Sequence, residues 1–155
     1  MEKNVTIALT VNGESIVQSV SPRTSLVDFL RTTVGATGTH IGCEQGSCGA
    51  CSVRVDEQVV RSCLMFAVQA DDAEVQTVEG AGGDVEVLQQ AFHERNALQC
   101  GFCTPGMLMT ASELLKVNPT PSRSEIREYL SGNYCRCTGY EAIVDAVYSA
   151  ARSRS

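Results

Sequence analysis

Cys43-Glu44-Gln45-Gly46-Ser47-Cys48-Gly49-Ala50-Cys51 decides how this chain is read. It carries three cysteines at C-x4-C-x2-C, and eleven residues separate the third from Cys63. That is the plant-type spacing for [2Fe–2S] ligation. Three thiolates on one short loop face a single cluster, and a fourth from the next segment closes the cage. The glycines at 42, 46 and 49 suit such a loop, which needs left-handed backbone and close approach to bulky sulfur. Backbone N–H groups turned inward then donate to the sulfurs.

The rest of the chain limits what surrounds this loop. With 155 residues there is room for one domain or two small ones, and 43% hydrophobic residues suffice for a globular core. Tryptophan is absent, so that core is aliphatic. A net charge of −6 with no basic stripe disfavours nucleic acid and anionic membrane surfaces. No apolar run reaches the roughly 18 residues of a bilayer span. The first residues lead straight into a strand pattern without a secretion signal, which makes the expected location cytoplasmic. All eight cysteines fall into two sets of four, the second being Cys100, Cys103, Cys135 and Cys137. In a cytosolic chain, clustered cysteines are more often metal ligands than disulfides.

Around the first loop the pattern is that of a small mixed sheet. Val5–Val11 alternates with period two, Asn12-Gly13 is a hairpin signal, and residues 14–20 return as a second strand. Leu26, Phe29 and Leu30 share one helical face behind an N-cap at Thr24 or Ser25. Ser52–Val55 and Gln58–Arg61 form a further hairpin around Asp56-Glu57, Leu64–Val68 is a short apolar segment, and Glu74–Val78 is the last strand. Asp71-Asp72 reads as a solvated turn. Residues 1–78 thus form one domain, and the glycine-rich stretch 79–84 a flexible linker.

Residues 85–155 read as helical. Val87, Leu88, Ala91 and Phe92 make one stripe. Thr104-Pro105 opens a helix with proline at its first position, carrying Leu108, Ala111, Leu114 and Leu115 inward and stopping at Asn118-Pro119. Met107 and Met109 read as core. Ser122-Arg123-Ser124-Glu125 is a capping box, and a last helix runs from about Tyr140 to Arg152. Four short helices suggest a small bundle. The pairs Cys100/Cys103 and Cys135/Cys137 each precede a helix, whose N-terminus favours an anionic group. By itself this C-x2-C…C-x-C set fits a four-cysteine zinc site as well as a cluster. His40 borders the first loop, either tuning it through a hydrogen bond or packing as an ordinary loop histidine. Arg136, between two thiols, either offsets their charge or lies at a subunit surface.

Three stretches together, Cys43–Val53, Gln99–Met107 (QCGFCTPGM) and Asn133–Tyr140 (NYCRCTGY), resemble the small iron–sulfur subunit of the molybdenum hydroxylases, the xanthine dehydrogenase and aldehyde oxidoreductase family. The resemblance covers nearly the whole chain. It implies an α+β fold: an N-terminal β-grasp ferredoxin-like domain and a C-terminal four-helix bundle, each with one [2Fe–2S] cluster. It assigns Cys43, Cys48, Cys51 and Cys63 to a cluster near a flavin, and Cys100, Cys103, Cys135 and Cys137 to a cluster near the molybdenum cofactor. It places Gln99 and Cys137 beside the molybdopterin of a partner. The implied role is electron transfer, with no catalytic residue in this chain. The partners would be a large molybdopterin-binding subunit and a medium FAD-binding subunit, in a heterotrimer or its dimer. A free-standing carrier and a zinc-stabilised interaction module are the alternatives. The substrate belongs to the molybdenum subunit and is not written in this chain.

Overall fold

The computed structural model describes residues 3–153. Its first half is a five-stranded mixed sheet in the order β2-β1-β5-β3-β4. Strands β1 (Val5–Val11) and β2 (Glu14–Val20) form the expected hairpin, pairing Val5 with Val20 and Val11 with Glu14. Both turn residues take left-handed backbone, Asn12 at φ 51° and Gly13 at φ 84°. Strands β3 (Ser52–Val55) and β4 (Gln58–Arg61) form the second hairpin, and the short β5 (Glu74–Gln76) lies between the two, parallel to β1 and antiparallel to β3. Alternation along β1 sends Ile7, Leu9 and Val11 to one face, against Leu26, Phe29, Leu30, Val53 and Val75.

The helix across the sheet begins as expected. Ser25 is its N-cap, and its hydroxyl accepts from the Asp28 N–H at 3.1 Å. Beyond α1 (Leu26–Asp28), however, the coil widens into a π-helical segment over Phe29–Val34 that ends at Gly35, φ 84°. The Thr32 hydroxyl donates to the Asp28 carbonyl at 2.7 Å and competes there with the backbone. The last strand stops at Gln76, short of the expected Val78, because the Asn12 side chain captures the Thr77 N–H at 2.8 Å and Val78–Gly80 curls into a 3-10 turn. Leu64–Val68 does not face inward as a unit: Leu64 is 63% and Phe66 48% exposed. Asp71 also does more than face water, accepting the Ala8 N–H at 2.7 Å.

The stretch 79–84 is fastened, not loose. Glu79 accepts from Gly38 N–H at 2.6 Å and from the Thr77 hydroxyl, and the Gln76 amide donates to the Gly80 carbonyl at 3.1 Å. Helix α2 (Gly83–Glu94) starts within it. Helices α3 (Thr104–Val117), α4 (Arg123–Tyr129) and α5 (Glu141–Ser153) follow. They share a core of Leu88, Phe92, Met107, Leu114, Ile143 and Val147 among others. The buried stripe of α2 is Val85-Leu88-Ala91-Phe92; Val87, expected inside, is 36% exposed. The start of α3 also differs. Cys103 is the N-cap, Thr104 stands inside the helix with its hydroxyl unpartnered, and Pro105 takes the second position. The Ser122–Glu125 capping box forms as read. Among the described residues, no helix is long and apolar enough to cross a membrane.

Helix α3 is also the seam between the halves. A Cβ on Gly106 would stand 2.2 Å from the Gly49 carbonyl oxygen, so only glycine lets the helix lie this close to the cysteine loop. Farther along, the Ser112 hydroxyl accepts from the buried Arg54 guanidinium at 2.8 Å, and Glu113 accepts the Val59 N–H at 2.6 Å.

Candidate metal centres

The first loop runs from Gly42 to Cys51 with left-handed turns at Glu44 (φ 55°), Gly46 (φ 77°) and Gly49 (φ 75°). These turns aim backbone N–H groups at sulfur. Gln45 and Cys48 donate to Cys43 Sγ at 3.5 and 3.3 Å, and Ala50 donates to Cys48 Sγ at 3.5 Å. The Gln45 N–H, then that of Cys48, draws the Cys43 thiol down to about 7, because both favour the thiolate. Gly42 leaves the loop room: a Cβ there would lie 2.9 Å from Cys48 Sγ. Cys63 comes from beyond β4 and meets Cys51. Burial, with the Cys51 thiol beside it, pushes Cys63 up to about 11.

The second set is built from two inter-helix loops. Cys137 Sγ lies 3.5 Å from Cys100 Sγ, and Cys103 meets Cys135. Burial, then the Cys135 thiol, pushes Cys103 up to about 12. Cys135 goes the other way: burial opposes ionisation there, but the Thr138 hydroxyl at 3.1 Å and the backbone N–H groups of Cys137 and Thr138 outweigh it. Gln99 joins the two loops of this set: its amide donates to the Cys137 carbonyl at 2.9 Å. Three supports escaped sequence reasoning, although two lie in the NYCRCTGY stretch. The Tyr140 hydroxyl accepts the Cys135 N–H at 2.8 Å, Thr138 reaches Cys135 Sγ, and Phe102 N–H points to Cys100 Sγ at 3.5 Å.

All eight cysteines are free thiols, gathered two by two: 43 with 48, 51 with 63, 100 with 137, 103 with 135. Among the described residues, no three of His, Cys, Asp and Glu converge to hold a single metal ion. The donor set fits a binuclear cluster, in which each of two irons takes two thiolates and the sulfurs accept N–H bonds.

The two sets adjoin. Tyr134 N–H donates to the Cys48 carbonyl at 2.8 Å, and the buried Asn133 amide donates to the Gly49 carbonyl at 3.2 Å. The Arg61 guanidinium donates to the Gly132 carbonyl at 2.9 Å. His40 packs against the other half: Nδ1 lies 2.8 Å from the Phe102 carbonyl and the two rings stack. The expected bond from His40 to the first loop gives way to one with the second loop, on which the ring also packs. His93 takes part in neither set.

Two family descriptions match this chain. Residues 9–82 match a 2Fe-2S iron–sulfur cluster binding domain, and residues 77–148 a [2Fe-2S] binding domain. Caffeine dehydrogenase subunit gamma of Pseudomonas sp. (strain CBB1) is 53% identical over 148 residues, 92% of this chain and 89% of the relative. The xanthine dehydrogenase iron–sulfur-binding subunit of Escherichia coli O157:H7 is 41% identical over 156 residues, 98% of each chain. A chain in the crystal structure of quinoline 2-oxidoreductase from Pseudomonas putida 86 superposes with a TM-score of 0.89 at 51% identity, covering 97% of this chain and 98% of that one. Sequence, fold and paired thiols converge: this chain belongs to the small iron–sulfur subunits of the molybdenum hydroxylases, in the xanthine dehydrogenase and aldehyde oxidoreductase family.

Proposed function

We propose that this chain is the electron-relaying subunit of a molybdenum hydroxylase complex. Cys43, Cys48, Cys51 and Cys63 hold one [2Fe–2S] cluster on a β-grasp ferredoxin-like domain, residues 1–78. After the 79–84 connection, Cys100, Cys103, Cys135 and Cys137 hold a second on a four-helix bundle, residues 85–155. When bound, the clusters supply one-electron steps between a two-electron centre and a flavin. The protein's part is to hold the two sets next to each other, and the Tyr134–Cys48 hydrogen bond is the observation that carries the reading. It joins the residue before one thiol to a residue that itself bears a thiol of the other set. Backbone N–H groups stabilise negative charge on the sulfurs, and the seam along α3 keeps the spacing.

Gln99 and Cys137 face the molybdopterin of a large partner subunit, and the first set faces the FAD of a medium one, in a heterotrimer or its dimer in the cytoplasm. Exposed apolar side chains flank both sets in sequence, as docking requires: Leu64 and Phe66 beside Cys63, and Leu98, Phe102, Tyr134 and Tyr140 around the second set.

Iron analysis and low-temperature EPR of the dithionite-reduced protein test this. About four irons per chain and two distinct rhombic signals are expected; one signal with about two irons, or zinc without a signal, overturns it. In the assembled complex, Cys137→Ser should abolish substrate-driven flavin reduction and remove one signal while the other persists. Unchanged flavin reduction would count against the second set's place beside the molybdenum centre.

A further inference from the structure

The loop carrying Cys100 and Cys103 has little packing of its own. Gly101 sits at φ 81°, with nothing within 4 Å of where its Cβ would be, and Phe102 is 48% exposed. The peptide groups between the two thiols are therefore oriented by hydrogen bonds. Phe102 commits both of its own: its N–H to Cys100 Sγ at 3.5 Å, and its carbonyl to His40 Nδ1 at 2.8 Å. A carbonyl only accepts, so Nδ1 carries the ring proton. The imidazole also stacks on the Phe102 ring, centroids 4.7 Å apart and planes 25° from parallel. The N–H and the carbonyl lie on successive peptide units that meet at the Phe102 Cα, so holding the carbonyl restrains the Cα from which the N–H is directed at Cys100 Sγ.

We propose that His40, on the first half, is a positioning residue for the second thiol set: by holding the Phe102 carbonyl it keeps the Phe102 N–H on Cys100 Sγ and so raises the reduction potential of the second centre. The proposal rests on the two-cluster reading above. An N–H on a ligating sulfur favours the more negative, reduced state, and its loss lowers the potential. The hydrogen bonds from Tyr134 to Cys48 and from Asn133 to Gly49 do not involve His40, and they keep the halves together without it.

Two substitutions separate the hydrogen bond from the ring. His40→Phe keeps a stacking ring and loses the donor; His40→Gln keeps an N–H donor and loses the ring. Each variant, in the full complex, is titrated potentiometrically while the two EPR signals are followed, the second centre being the signal that Cys137→Ser removes. In His40→Phe the second midpoint should fall while the first stays in place, and His40→Gln should restore the second toward the wild-type value. A second midpoint that stays in place in His40→Phe, or one that falls in His40→Gln but not in His40→Phe, overturns the proposal and makes His40 a packing residue. A wild-type complex without two signals overturns the two-cluster reading instead.

Discussion

The two thiol sets do similar work with different means. In the first, Cys43 and Cys48 lie on one irregular loop, and the bonds to their sulfurs come from the backbone N–H groups of Gln45, Cys48 and Ala50. In the second, the thiols sit on two inter-helix loops. Backbone N–H groups reach sulfur there too, Phe102 on Cys100 among them, but side chains add bracing that the first set's sulfurs do not show: Thr138 on Cys135 Sγ, Tyr140 on the Cys135 N–H, Gln99 on the Cys137 carbonyl. A loop that folds back on itself at Glu44, Gly46 and Gly49 can turn its own amides inward. The second set divides its four thiols between two loops, and the Gln99 side chain of one loop reaches across to the Cys137 carbonyl of the other. The first set should therefore be sensitive to backbone substitutions and the second to the loss of single polar groups.

The place where the difference breaks down is the seam. Gly106 on α3 lies against the Gly49 carbonyl, so one added methyl disturbs a helix of the second half and the loop of the first together. Gly106→Ala should cost about 3 kcal/mol of stability, since the contacting atom is backbone and cannot swing aside. Urea unfolding of the isolated chain measures it, and EPR of the surviving folded fraction should show both signals altered. A change confined to one signal would mean that the halves are held apart more independently than the seam implies.

Tyr140→Phe sharpens the comparison from one side. It removes the hydroxyl that accepts the Cys135 N–H and leaves that donor without its partner, at about 1 kcal/mol. The left-handed Tyr140 backbone, φ 71°, is unchanged by the substitution. The second EPR signal should shift while the first does not. A shift in the first would show that side-chain bracing of the second set reaches across the Tyr134–Cys48 bond.

The sequence shows one half of this contrast much better than the other. The spacing of Cys43, Cys48, Cys51 and Cys63 with its glycines is a local pattern, and so are the hairpin at Asn12-Gly13, the Ser25 cap and the Ser122–Glu125 box; each is written within a few residues. The pairing of Cys100 with Cys137 joins residues 37 apart in sequence, and spacing alone leaves it open between zinc and a cluster; only the ferredoxin-type motif beside it and the three stretches together favour the cluster. Where the sequence misled, a side-chain bond outweighed the local backbone pattern. Asn12 on the Thr77 N–H ended β5 early, Thr32 on Asp28 widened the helix, and Glu79 fastened a stretch whose three glycines read as loose. The contacts of His40 with Phe102 and of Gly106 with Gly49 join segments about sixty residues apart, and no window along the chain contains both partners.

Glu79 tests a place where a side chain braces the approach to the first loop. Burial resists its ionisation, but the Thr77 hydroxyl and the Gly38 N–H, with the His40 ring nearby, outweigh burial and hold the carboxyl below its ordinary value. The sign follows from that direction. A carboxyl lowered by folding contributes fully above its unfolded value, and the contribution is lost as the pH falls through the folded one. Glu79 is partly exposed, so solvent screening limits the effect to under about 1 kcal/mol. Glu79→Gln should lower stability slightly at neutral pH and flatten its decline in acid, with the two proteins converging at low pH. Thermal melts of the chain from pH 7 down through the carboxylate range measure this. Parallel curves that never converge would mean that Glu79 holds Gly38 by shape and hydrogen bonding alone, and the first loop's approach would then be as indifferent to charge as the backbone amides that line the loop itself.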